Sequence, residues 1–474
     1  MKGLKYTAFG ALSLMLFLLV IATLFEKMYG SYVVQEYIYH SPLFIFLWVA
    51  IAVVAMIYVV AATKRPAVVV LHSAFVLVLA GALITFFTSK RGEVELSLNA
   101  APSSMFINHK GNLERMPFRM SLLELKTYYE KDLLSPMDYN AAIEVSAGNA
   151  ATDTLSLSMN NPMLFKRHSF CIKSISPSSV QLYVSYDPVG APVTYSGYLM
   201  IIATFVVVLV SKESGFRRLL ARVRYRGENN DSGIERCKKQ GVADNMLLWS
   251  AVPAFIALTI AGALRWYDTG LFPATNGHET MFLLAWSSSL FGIVAFRRSR
   301  SLFKAMSLMA LLAIAVALFS FGGSAAVIPP ILRTPLLGLH VTAMILAYSL
   351  LGCTAVNAAV SLWYRYALKN EKRFVTGADV SRIIMYPATM LLVIGIIIGS
   401  VWANISWGRY WGWDPKEVWA LITLIVCSFT LHSRSLSLMA KPLFFHLFCI
   451  VVFLAMLFTY FGVNYMLGGF HSYV

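Results

Sequence analysis

The chain has 474 residues, of which 58% are hydrophobic and only 13% charged, and its mean hydropathy is +0.67. That balance excludes a soluble globular enzyme of this length and fits a polytopic membrane protein. The formal charge of +16 does not indicate a nucleic-acid partner, because Lys and Arg collect in short segments between apolar runs.

Apolar runs long enough to span lie near 7–25, 43–63, 66–88, 193–211, 245–264, 280–296, 303–320, 337–361, 383–403, 418–433 and 443–463. They predict about 11 transmembrane helices, of which the tenth is short. The first run lacks a small-residue cleavage site and reads as a retained helix. Residues 89–192 are the one sizeable polar segment. Apolar and polar residues alternate at 142–145, 154–159 and 181–186, with turn signals at Gly148-Asn149, Asn160-Asn161-Pro162 and Asp187-Pro188. That pattern predicts an all-β domain. Residues 212–243 are basic and poor in apolar groups and read as a linker. The expected plan is a three-helix unit (1–88), the β domain (89–192), a fourth helix (193–211), the linker (212–243) and a second membrane unit (244–474). Basic segments 217–239, 297–304 and 365–382 lie on one side of such a bundle and set that side as cytoplasmic. The N-terminus is then cytoplasmic, and the C-terminus and β domain are periplasmic. Cys171, Cys237, Cys353, Cys427 and Cys449 are scattered, so neither a disulfide framework nor a thiol-redox pair is expected.

Residues 402–419 stand apart. Five of the 10 tryptophans fall there, with Arg409, Asp414, Lys416 and Glu417 among them. An interfacial belt needs one or two such rings per helix end. This density makes a flat, polarisable surface for a large planar ligand, with a thick interfacial anchor as the alternative. Arg409 and Lys416 suit carboxylates at the ligand's edge or snorkel to the interface. Asp414, just before Pro415, fits either that surface or a helix cap.

The run Trp407-Gly-Arg409-Tyr410-Trp411-Gly-Trp413-Asp414-Pro415-Lys416-Glu417-Val-Trp419 resembles the "WWD" signature of haem-handling proteins in cytochrome c maturation. In the first half, Thr23-Leu-Phe-Glu26 through Tyr37-Ile-Tyr-His-Ser41, the β domain ending in Tyr186-Asp187-Pro188 and a fourth helix resemble the CcsB (ResB) subunit. In the second, Pro273-Ala-Thr-Asn276-Gly-His-Glu279, the tryptophan run and Asn464-Tyr-Met-Leu-Gly-Gly-Phe-His471 resemble CcsA (ResC). Together they resemble a fused system II cytochrome c synthase over nearly the whole chain. The β domain is short for that family, and His278 stands where an aromatic or aliphatic residue is usual. The resemblance implies a haem lyase in a bacterial inner membrane. Such an enzyme exports haem b and joins it by thioethers to the Cys-x-x-Cys-His motif of apocytochrome c on the outer face. It further implies thiol-reducing proteins as partners.

Topology sorts the nine histidines. His72 and His432 fall in the inner half of the membrane, whereas His340 and His471 fall at the level of the tryptophan run. An ionisable side chain inside a span is costly and usually functional, and a neutral imidazole is a good axial ligand for haem iron. The expectation is an inner site ligated by His72 and His432 and an outer one ligated by His340 and His471, the four positions to which the family's ligands correspond. Trp407, Trp411 and Trp413 would hold the haem face at the outer site. His40, His109 and His168 read as boundary or surface residues, and His278 and His446 stay open. The rival reading is a membrane b-type dihaem electron carrier using the same four histidines.

Overall fold

A computed structural model describes residues 2–63, 65–129, 135–147, 152–211, 214–228, 237–297, 300–320, 328–433 and 435–467. Three helices open the chain: α1 (Lys2–Tyr29), α2 (Pro42–Ala62) and α3 (Pro66–Thr88). The strands β1 (Lys90–Ser97), β2 (Ser103–Asn108), β3 (Leu113–Tyr129), β4 (Pro136–Ser146), β5 (Asp153–Ser158), β6 (Met163–Phe165), β7 (His168–Ile175) and β8 (Ser179–Tyr186) follow. Then come α4 (Gly190–Val210), α5 (Gly215–Glu228), α6 (Cys237–Thr269), α7 (Gly277–Ala295) and α8 (Arg300–Ser320). The chain closes with α9 (Pro335–Tyr366), α10 (Glu371–Trp407), α11 (Pro415–Leu431) and α12 (Pro442–Leu457).

The protein is therefore a multi-pass helical membrane protein with one inserted β domain. Among the described residues, nine helices are long and apolar enough to cross a membrane, against the eleven expected. The two that fall short, α7 and α11, form where apolar runs place them. α11 has only 17 residues, about 25 Å of helix against a hydrocarbon core of about 30 Å. α7 buries Glu279, Ser287, Ser288 and Ser289 along its length, which lowers its apolar character. The linker segment is helical at both ends, in α5 and at the start of α6. Residues 229–236 lie outside the described residues.

Close approach of α3 and α4 depends on small residues. A Cβ at Gly81 would meet Thr194, one at Gly190 would meet Thr85, and one at Gly197 would lie 2.7 Å from Val78 Cγ2. In lipid, where escape from water no longer drives association, such small-residue contacts supply the packing attraction. The two halves share buried clusters. Met15, Leu19, Tyr39 and Phe44 pack with Val418, Ile422 and Phe429 of α11. Ala74 of α3 and Ile201 and Phe205 of α4 pack with Met390, Val393 and Ile397 of α10.

The β domain is one antiparallel sheet in the order β5-β4-β3-β2-β1-β8-β7-β6. The expected alternation falls in β4, β5 and β8, where Ile143, Leu157, Val180, Leu182 and Val184 fill a single core. A turn bridged at Ser158 and Asn161 brings the two outermost strands together. The domain rests on the bundle end that carries the tryptophan run. Asn160 Nδ2 donates to Pro330 O at 2.9 Å, and Cys171 Sγ lies 4.0 Å from Asn404 O. Burial pushes the Cys171 thiol up to about 12, so it acts as packing and not as a nucleophile.

Candidate functional site

His72 and His432 meet. Their ring centroids are 6.0 Å apart with planes at 85°, although one residue comes from α3 and the other caps α11. His72 Nδ1 lies 2.8 Å from Val68 O, and His432 Nδ1 lies 2.6 Å from Ser428 O. A carbonyl only accepts, so each Nδ1 carries the proton. Each Nε2 keeps its lone pair, as an axial ligand requires. The spacing is close to that of two imidazoles sharing one metal ion, with a bond of about 2 Å on each side. Phe9 of α1 packs edge-on against His432 at 5.4 Å and walls the pair from that side.

A cavity of about 3040 Å³ starts at this pair and runs along α3 to the other end of the bundle. There Arg91, His109, Arg409, Trp411 and Trp413 line it. A second cavity, of about 2340 Å³, lies across Trp411 and is lined by His278, His340, Trp402, Lys416 and Asn464. Trp411 and Tyr410 border both.

The tryptophan run takes its shape from its turn and cap residues. Gly408 ends α10 in the left-handed region at φ +67°, where its N–H bonds back to Asn404 O at 3.0 Å. Asp414 caps α11 and accepts from Lys416 N at 3.1 Å, completing a capping box with Glu417. Glu417 Oε2 also accepts from Gly412 N at 2.8 Å. Trp413 adopts φ 55°, a conformation that costs a non-glycine residue about 1–2 kcal/mol. It is held there by stacking on Tyr39, with centroids 4.8 Å apart and planes at 13°, and by Phe44 and Trp411 edge-on.

The first half of the chain braces this loop. Gln35 Nε2 donates to Gly412 O at 3.0 Å. Tyr410 Oη shares a hydrogen bond of 2.5 Å with Thr85, whose Oγ1 also lies 2.6 Å from Asp187 Oδ2. Trp419 Nε1 donates to Thr23 of α1 at 3.3 Å. These struts were not predicted from sequence. Tyr39 and Asp187 lie in stretches that carry the CcsB resemblance, and that was the available signal.

The five tryptophans divide the work. Trp411 alone faces both cavities, and its buried indole N–H has no hydrogen-bond partner among the described residues. Trp413 is a strut as well as a wall. Trp407 lines neither cavity and packs on buried Trp402 at 4.9 Å. Arg409 and Lys416 face different cavities, and Lys416 Nζ donates to Asn464 Oδ1 at 2.5 Å.

His340 sits in the first turns of α9 with its Nδ1 2.7 Å from Gly395 O of α10. A Cβ at Gly399 would lie 2.6 Å from the ring, so a bare glycine face lets the imidazole lie against the helix. The expected partner His471 lies outside the described residues. The last turns described before it, at Asn464 and Tyr465, line the same cavity as His340. His446 is different in kind: its Nε2 lies 3.1 Å from Phe374 O in a fully buried position, so it packs α12 against α10. His278 is held edge-on by Phe282 at 4.7 Å. Its neighbour Glu279 is engaged by Arg265 at 2.9 Å.

A family model described as "Cytochrome C assembly protein" matches residues 274–471, and one described as "ResB-like family" matches residues 61–178. Protein NrfI of Wolinella succinogenes is 33% identical over 232 residues, 46% of this chain and 25% of that protein. The cytochrome c biogenesis protein CcsA of Chlamydomonas reinhardtii is 34% identical over 236 residues, 46% of this chain and 65% of that protein. The chain thus spans a quarter of the first relative's length and just under two thirds of the second's. CcsA of Parasynechococcus marenigrum is 32% identical over 255 residues, and 83% of it is covered. With a CcsA relative matched over most of its length and a ResB-like segment ahead of the assembly segment, this chain belongs to the fused CcsB/CcsA-type system II cytochrome c synthases.

Proposed function

We propose that the protein moves haem b from the inner pair, His72 and His432, to an outer site at His340, and there attaches it to apocytochrome c. His471 is the proposed second outer ligand. The observation that carries this reading is the cavity that runs from the facing rings of His72 and His432 to Trp411, which together with Tyr410 also borders the His340 cavity. In this reading the N-terminus is cytoplasmic, and the β domain and tryptophan loop face the periplasm.

Haem is the substrate, and it brings its own reactive vinyl groups. In each thioether step a Cys S–H of the Cys-x-x-Cys-His motif adds across a vinyl C=C. One carbon gains sulfur and the other hydrogen, with no leaving group and no oxidant. Both cysteines must be thiols, which assigns thiol-reducing proteins as partners. The protein's own contribution is position: histidines that fix the iron and Trp411 that fixes the ring. The test is to purify the protein, record its haem spectrum and add a Cys-x-x-Cys-His peptide. Covalent haem on the peptide is expected. Bound haem that never becomes covalent would favour the electron carrier.

Three substitutions probe the outer site. Trp411→Ala should weaken haem binding there by about 2- to 12-fold, the range of one ring-stacking contact of about 0.5–1.5 kcal/mol. Trp407→Ala, which lines neither cavity, should leave haem affinity unchanged; equal losses in both would reduce the run to an interfacial anchor. Gly399→Ala drives a methyl group into the His340 ring. A catalytic group misplaced by about 1 Å can lose about 100-fold in rate, so maturation of cytochrome c should collapse while the protein still reaches the membrane. Maturation at the wild-type level would show that the ring is free to move aside.

A further inference from the structure

Arg91 occupies an unusual position for a cation. In β1 the residues at 92, 94 and 96 face the sheet core side and those at 91, 93 and 95 alternate with them. An arginine on the outer face should be solvated. Here its Nε is shielded from solvent and has no hydrogen-bond partner among the described residues. The acidic groups around it also hold other partners. Glu93 pairs with Lys173 at 2.5 Å, and Glu114 accepts from Asn108 at 3.0 Å and faces Lys90 at 3.6 Å. Asp187 accepts from Thr85 and from Gly190 N at 2.9 Å. Burial disfavours the charge on Arg91, Asp187 offsets part of this, and Arg409 of the tryptophan loop adds like charge; both arginines act in the same sense on His109. All three line the outer end of the long cavity, beside Trp411 and Trp413. Asp187 offsets only part of the cost of burial, so a shielded cation beside Arg409 is left short of counter-charge unless a further anion completes the site.

We propose that Arg91, with Arg409 and His109, binds the propionate carboxylates of haem as it reaches the tryptophan loop. This rests on the haem-moving role proposed above and gives the β domain a direct part in it. Guanidinium groups suit carboxylates bidentately, and the rings of Trp411 and Trp413 border the same space, where a porphyrin face would lie. The site selects for the charged edge of the molecule and so orients the vinyl edge away from the β domain.

The test uses the full chain carrying His432→Ala, so that the inner pair is disabled, titrated in detergent with haem and with haem dimethyl ester. The parent should prefer haem by about tenfold, as expected of a charge-assisted contact. Arg91→Gln should lose about tenfold for haem and nothing for the ester, which abolishes the preference, and Arg91→Lys should keep part of it. Should Arg91→Gln fail to fold, Arg409→Gln gives the same reading from the loop side. An undiminished preference in both glutamine variants overturns this site while leaving haem transport intact. In detergent the added porphyrin reaches the outer cavity without the supply route, so a parent that binds neither porphyrin overturns the transport reading together with it.

Discussion

Replacing His72 by alanine is expected to empty the outer haem site as well as the inner one. His72 lies at the far end of the cavity from the tryptophan loop, so the effect is one of supply. Each of the two rings is anchored through Nδ1 to a carbonyl of its own helix, and neither can stand in for the other. His432→Ala should therefore match His72→Ala, and the double variant should be little worse than either single, the non-additivity expected of two groups acting on one ligand. Haem content of purified variants, with cytochrome c yield alongside, checks this. Loss of one axial ligand should lower haem content by at least about tenfold, by analogy with the 10- to 100-fold losses from disturbed metal sites. Wild-type outer occupancy in His72→Ala would refute the path.

His340→Ala should abolish maturation, and added imidazole should partly restore it. The structure gives rescue a definite basis. Removing the side chain leaves a slot floored by Gly399 and bounded by Gly395 O, which is already positioned to accept an N–H from an imidazole. Free imidazole entering the slot would be held as the native ring is, with its other nitrogen toward the cavity. Maturation below about 1% of wild type without imidazole is the expected baseline, in keeping with loss of a positioning group. Full yield without imidazole would remove His340 from the mechanism.

Much of this was legible in the sequence because depth in a membrane is a one-dimensional property. Apolar runs locate helices, and counting along them places His72 and His432 at one level though most of the chain separates them. Their contact at 6.0 Å is what equal depth allows but does not compel. Period-two alternation likewise marked β4, β5 and β8. What sequence reasoning could not supply was lateral neighbourhood. Tyr39 stacks on Trp413, and Gln35 reaches a carbonyl 377 positions away; neither has a periodic signal. Arg409 and Lys416 look equivalent in a short loop, yet the turn at Trp413 and the cap at Asp414 send them to opposite cavities. His109 read as a surface group because the loop that faces it lies three hundred positions further on in the chain.

The way the β sheet closes limits how a second polypeptide can approach. Its outermost strands are β5, six residues long, and β6, three residues long, and the turn at Ser158 and Asn161 draws them together. An open edge would offer a row of free amides and carbonyls on which an extended chain could lie as an additional strand. At these two strands that row is short. A second polypeptide would therefore gain little from main-chain pairing at β5 or β6 and would have to be held mainly through its side chains.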